Sequence, residues 1–147
     1  EIFKFTRSQL RSQDIDLQVA DLSALPEVRI DVDQFRQVAL NLVQNAAEAL
    51  IDRFGDQPHP DRRIIVGGTA EDATVSIRIH DFGSGVAESA RDHLFEPFFT
   101  TKANGLGIGL SISKKLVEDQ LGTLELEGGA SGTCFLIHLK RSRPSEG

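Results

Sequence analysis

At 147 residues, 39% hydrophobic and 26% charged, the chain has the size and balance of one domain around one core. A net charge of −6 argues against electrostatic capture of a nucleic-acid backbone or an anionic membrane surface. No run approaches the roughly eighteen apolar residues of a membrane span, and a single cysteine excludes a disulfide framework or a cysteine metal cluster.

Phe3 to Leu10 reads as a short helix, and Ile15 to Ala20 and Val28 to Ile30 as strands around a turn at Pro26. From Asp33 to Phe54 the residues Phe35, Val38, Ala39, Leu42, Ala46, Ala49 and Leu50 recur at steps of three and four, the stripe of an amphipathic helix. Asp33 stands at the N-cap and Gly55 at the stop. A second, polar stripe carries Gln37, Asn41, Asn45, Glu48 and Asp52. Asparagine is a poor helix former, because its side chain competes for backbone hydrogen bonds. Two of them on one stripe make either a solvated face or a site, and neutral amide oxygens suit a hard cation such as Mg2+ beside phosphates.

The loop from Gly55 to Asp61 is an exposed connection, and Arg63 to Val66 pairs with the alternating run Thr74 to His80 as strands. Asp81-Phe82-Gly83-Ser84-Gly85-Val86 closes the second strand. An aspartate ahead of two glycines serves equally as a turn or as a pocketed acceptor for the exocyclic amine of adenine. Ser89 to Leu94 reads as a short helix. Phe95 to Asn104 reads as a lid, in which Phe98 and Phe99 suit either the core or contact with a partner domain.

Gly105-Leu106-Gly107-Ile108-Gly109 then feeds a helix predicted over Gly107 to Leu121. Alternating glycines leave amides bare, and the helix adds the positive end of its dipole, so the junction is suited to phosphates. The dinucleotide fingerprint is absent, because its third glycine falls on Leu110 or Ile112, and no Walker A lysine follows. Thr123 to Glu127 and Thr133 to Leu139 form a closing hairpin that carries Cys134 as a small core side chain. Arg141 to Gly147 is read as a loose tail beyond a single domain over residues 1–140. Helices on one face of a mixed sheet give a two-layer α/β sandwich.

Asn41-Leu42-Val43-Gln44-Asn45-Ala46, Asp81-Phe82-Gly83-Ser84-Gly85, Phe95 to Lys102, Gly105 to Ser111 and Gly129-Ala130-Ser131-Gly132-Thr133 resemble, in order, the N, G1, F, G2 and G3 boxes of sensor histidine kinase catalytic domains. The short Thr-Thr-Lys lid is similar to that of the nitrogen-, oxygen- and dicarboxylate-sensing branch. The resemblance implies the GHKL or Bergerat fold with ATP and Mg2+ as ligands. It places Asn45 on the metal with Asn41 assisting, and Asp81 on the adenine amine with Thr133 joining through ordered water. Gly83 and Gly85 leave room for the base, and Val86 packs on it. The amides around Gly105, Leu106 and Gly107 cradle the phosphates with Lys102 nearby, and Gly109 belongs to the same nucleotide-binding run. Glu48 stands where the family often places a polar or basic group near them.

Relatives of this fold that hydrolyse ATP resemble one another in a glutamate four residues before the metal asparagine. Here that position is Asn41, which cannot take a proton from water, so the γ-phosphoryl group is expected to pass to another acceptor. In the family the acceptor is a histidine on an upstream dimerisation domain, with a response regulator as the next recipient. None of His59, His80, His93 and His138 has that setting. The chain, which opens without a methionine, is therefore read as a cytoplasmic piece of a longer protein. It is expected to be monomeric by itself, in a parent that dimerises and whose membrane attachment lies outside these residues. The other reading is a nucleotide-sensing interaction module that binds ATP or ADP without transfer.

Overall fold

The computed structural model describes residues 4–22, 25, 26, 28, 30–97, 109–127 and 132–141. Helix α1 (Lys4–Arg11) leads into strand β1 (Asp16–Val19), and helix α2 (Val32–Phe54) into the hairpin of β2 (Arg63–Ala70) and β3 (Thr74–Asp81). A single-turn helix α3 (Glu88–Arg91) precedes helix α4 (Gly109–Asp119), and β4 (Thr123–Glu127) and β5 (Thr133–Lys140) end the fold. The strands form one sheet in the order β1-β2-β3-β5-β4, parallel at β1–β2 and antiparallel elsewhere. This is the mixed sheet of the expected two-layer sandwich.

Register explains the core. Successive strand side chains point to opposite faces, so cross-strand partners line up in rows. Val66, Ile79, Phe135 and Leu126 form one inward row, and Ile77, Ile137 and Leu124 another. Against this face α2 buries Val38, Ala39, Leu42, Val43, Ala46, Ala47 and Leu50, and α4 buries Ser113 and Val117. The outward face is polar: Ser76 Oγ lies 2.8 Å from His138 Nδ1, His138 Nε2 lies 2.9 Å from Glu125, and Arg78 pairs with Glu127 at 3.1 Å.

Several boundaries differ from expectation for local reasons. The N-cap of α2 is Asp31, whose Oδ1 accepts the amides of Asp33 and Gln34 at 3.0 and 3.1 Å. Asp33 sits instead in the first turn, where its charge favours the dipole and reaches Arg36 at 3.3 Å. Gly55 does stop the helix, its amide bonding Ile51 O at 2.7 Å. Of the segment Val28 to Ile30, read as a strand, Val28 forms an isolated bridge to Arg141, and residue 29 lies outside the described residues. Strand β2 runs through both glycines to Ala70, because β3 pairs with it along its length. The buried Arg62 ties this edge together, donating to Gln13 O at 2.8 Å and Gly55 O at 2.6 Å. No helix among the described residues is long and apolar enough to cross a membrane.

Candidate functional site

Asp81 is in phase with Val75, Ile77 and Ile79, so alternation turns its carboxylate into the core face with them. Its row is Leu17, Ile64, Asp81 and Thr133, and only 2% of Asp81 is exposed. Oδ1 accepts the Gly83 amide at 2.8 Å. Burial pushes the carboxyl up to about 6, while the Gly83 amide, His80 and the Thr133 backbone pull the other way. A buried carboxylate that accepts backbone amides still has lone pairs for a further donor.

Two glycines make this geometry possible. A Cβ on Gly83 would sit 2.5 Å from the carbonyl carbon of Ala49, because the loop lies against α2, where Ser84 N donates to Ala49 O at 3.1 Å. Gly132 has φ +73°, and a Cβ there would overlap the Asp81 carbonyl oxygen. Beside them opens a cavity of about 160 Å³ lined by Ser84, Gly85, Val86, Arg91, Leu126, Glu127, Gly132 and Thr133. Gly85, Val86 and Thr133 are thus brought together around one space, next to Asp81.

The second part of the cleft is built by helices. Gln37 Nε2 donates to Asn41 Oδ1 at 2.9 Å, and Asn41 Nδ2 donates to Ser113 Oγ at 3.1 Å. Gln120 Nε2 reaches Gln34 Oε1 at 3.3 Å, so α2 and α4 run antiparallel. The pairs Gln34 with Gln120 and Asn41 with Ser113 set how α2 lies on α4, and α4 is described from Gly109, four residues ahead of Ser113. Asn45 and, one turn later on α2, Glu48 are half-buried. Among the described residues no group of three or more histidine, cysteine and carboxylate side chains could hold a metal ion. Asn41 Oδ1 keeps a lone pair beyond the one Gln37 uses, which is compatible with the assisting role. Lys102, Gly105, Leu106 and Gly107, like Phe98, Phe99 and the rest of the lid up to Asn104, lie outside the described residues.

The histidines have structural settings. His59 stacks on Phe54 at 4.5 Å and accepts the Asp61 amide, His80 packs on Phe82 at 4.5 Å, and His93 lies 3.1 Å from Glu96. Burial and the neighbouring Glu127 push the Cys134 thiol up to about 12, which leaves it inert as a core side chain. Arg91, Leu126 and Glu127 were not anticipated as cavity walls. Leu126 could have been found by extending the row of Phe135 onto β4. Ser113 had a signal too, a hydroxyl on the inward stripe of α4 between Leu110 and Val117.

Residues 30–143 match the family model described as histidine kinase-, DNA gyrase B- and HSP90-like ATPase. The chain is 42% identical over 109 residues to the C4-dicarboxylate transport sensor protein DctB of Rhizobium meliloti (strain 1021), covering 74% of this chain and 17% of that protein. It is 39% identical over 128 residues to the sensory histidine kinase/phosphatase NtrB of Rhizobium leguminosarum bv. phaseoli, covering 82% of this chain and 33% of that one. The chain thus spans a third or less of the length of these relatives. The solved catalytic domain of histidine kinase ThkA is similar with a TM-score of 0.77 at 30% identity, covering 95% of this chain and 89% of that one.

Proposed function

The chain belongs to the histidine kinase-, DNA gyrase B- and HSP90-like ATPase family as a histidine kinase catalytic domain, and from that premise we propose that it binds ATP with Mg2+ and passes the γ-phosphoryl group to a histidine on a separate dimerisation domain, for relay to a response-regulator aspartate. The observation that carries the nucleotide reading is Asp81, a buried carboxylate whose cross-strand partner Thr133 lines a cavity. Its carboxylate accepts the adenine amine, Thr133 assists through water, Val86 covers the base, and Gly83 and Gly85 allow the close approach. Asn45, with Asn41, holds Mg2+, which when bound neutralises charge on the phosphates. Glu48 lies beside the phosphates. Lys102 and the amides of Gly105, Leu106 and Gly107 cradle them, at the head of the helix that Gly109 begins.

Transfer needs little covalent chemistry from this domain. Its residues position the triphosphate in line with the incoming imidazole and compensate charge, and the imidazole nitrogen is already nucleophilic. Asn41 supports transfer over hydrolysis, because an amide cannot activate water as a carboxylate would. The settings of His59, His80, His93 and His138 agree with an acceptor outside these residues. The direct test mixes the chain with γ-labelled ATP and the parent's dimerisation domain. Label on a histidine of that domain is expected, and release of inorganic phosphate with no labelled histidine would contradict transfer.

A further inference from the structure

The Asp81-Phe82-Gly83 turn is held by a residue that the proposed chemistry does not use. Arg53, in the last turn of α2, donates from Nη1 to the Phe82 carbonyl at 2.6 Å, a short charge-assisted bond. Phe82 O and Gly83 N belong to one peptide unit, which is planar and trans, so fixing the carbonyl fixes the direction of the N–H on its other side. That N–H is the one that reaches Asp81 Oδ1 at 2.8 Å. A chain of two hydrogen bonds through one rigid plane thus runs from the guanidinium to the carboxylate, and each bond polarises the next.

The Phe82 side chain is clamped as well. The Arg63 guanidinium lies 4.4 Å from the ring centroid, and His80 packs on the ring at 4.5 Å. Arg63 Nε is buried with no hydrogen-bond partner among the described residues, a cost that its placement over the ring offsets.

We propose that Arg53 is a positioning residue for base recognition: by holding the Phe82–Gly83 peptide plane it aims the Gly83 amide at Asp81 and leaves the other carboxylate oxygen presented to the adenine amine. Arg63 supports it by locking the Phe82 ring. This rests on the nucleotide reading above, and it predicts that Arg53 controls which base is preferred rather than whether a triphosphate binds.

The test measures affinities of the whole chain for Mg-ATP and Mg-ITP, whose 6-oxo base lacks the amine, from pH 5 to 8. Their ratio cancels the titration of the phosphates. Arg53→Met is expected to lower the ATP-over-ITP preference roughly three- to tenfold, the scale of one charge-assisted hydrogen bond acting indirectly, with ITP affinity unchanged. Because the Gly83 amide lowers the Asp81 pKa from where burial alone would put it, loosening that amide should move the midpoint of the Asp81 carboxyl titration in the unliganded chain, read by NMR, upward from about 6. Arg53→Lys, which keeps a donor, should recover most of the preference. An equal loss for both nucleotides, or an unaltered ratio and midpoint, overturns the proposal. If Arg53→Met does not fold, Arg63→Met carries the same test, and a wild-type ratio in it overturns the proposal too. Failure of the unaltered chain to bind either nucleotide would instead overturn the nucleotide reading on which this one stands.

Discussion

The Asp81 end of the cleft is built by strand register, and the Asn41 end by the packing of two helices. At the first end the carboxylate shares a row with Leu17, Ile64 and Thr133, the turn is pressed on Ala49, and Gly132 admits the Asp81 carbonyl where any side chain would collide. A slip of one residue would reverse every side chain, so this end is correct or absent. At the second end, side-chain amides bridge α2 to α4 through Ser113 and Gln120. Such bonds can lengthen or re-pair as the helices shift. On the proposed reading, base recognition falls to the end fixed by register, and the end built by helix packing has more freedom to adjust.

The largest effect expected is from Gly132→Ala. Its Cβ meets backbone and its φ of +73° disfavours a side chain, so a loss of about 2 to 4 kcal/mol in stability is predicted, with the adenine cavity deformed. Thermal unfolding checks this, and a stable variant with normal ATP affinity would show the base end to be softer than described.

Asp81→Asn should separate binding from stability. If the amide oxygen keeps the Gly83 bond, its NH2 faces the adenine amine, donor against donor, and ATP affinity should fall by roughly 2 to 4 kcal/mol. Stability should move the other way. The folded pKa of about 6 lies above the ordinary 3.8, so the native state holds the proton more tightly. Stability is then fullest below pH 4 and is lost as pH rises from about 4 to 6. Removing the charge should return up to about 3 kcal/mol at pH 7. Denaturant titrations at pH 4 and 7 on both proteins read this, and an unchanged difference would take Asp81 out of its buried ionised role.

Smaller effects belong to the helical end. Asn41→Ala leaves the buried Ser113 hydroxyl without its donor and should cost about 1 to 2 kcal/mol in stability. ATP affinity should change less than in Asp81→Asn. Asn41→Glu, read by phosphate release, should raise hydrolysis, and a wild-type protein that already hydrolyses ATP fast alone would break the argument from the amide. The least effect on binding is expected on the outer face. His138→Ala removes contacts to Ser76 and Glu125 and should lower stability by about 1 kcal/mol while leaving ATP affinity intact.

The comparison also explains what the sequence allowed to be read. Asp81 was legible as an aspartate ahead of two glycines, which left a turn and a pocketed acceptor both open until the order of the motifs was read, and its phase with Val75, Ile77 and Ile79 is what turns it inward. Asn41 and Asn45 were legible as a stripe, but not the partner of the first, since helix pairing depends on which turn of α4 meets which turn of α2. The α2 cap was placed two residues late, because Asp31 and Asp33 are alike in sequence and differ only in which amides they reach. Arg91 and Glu127 come to the cavity from a one-turn helix and a strand end, where no periodicity reports direction. Arg53 reads as one more charge in the last turn of a helix until its bond to Phe82 is seen.

The central claim, that the Asp81 cleft holds adenosine triphosphate by its base, is tested most directly by calorimetric titration of Mg-ATP into the chain and into Asp81→Asn at pH 7.5. One saturable site in the first and its loss in the second are predicted. Equal binding by the two proteins, or no heat from the first at millimolar nucleotide, would contradict it.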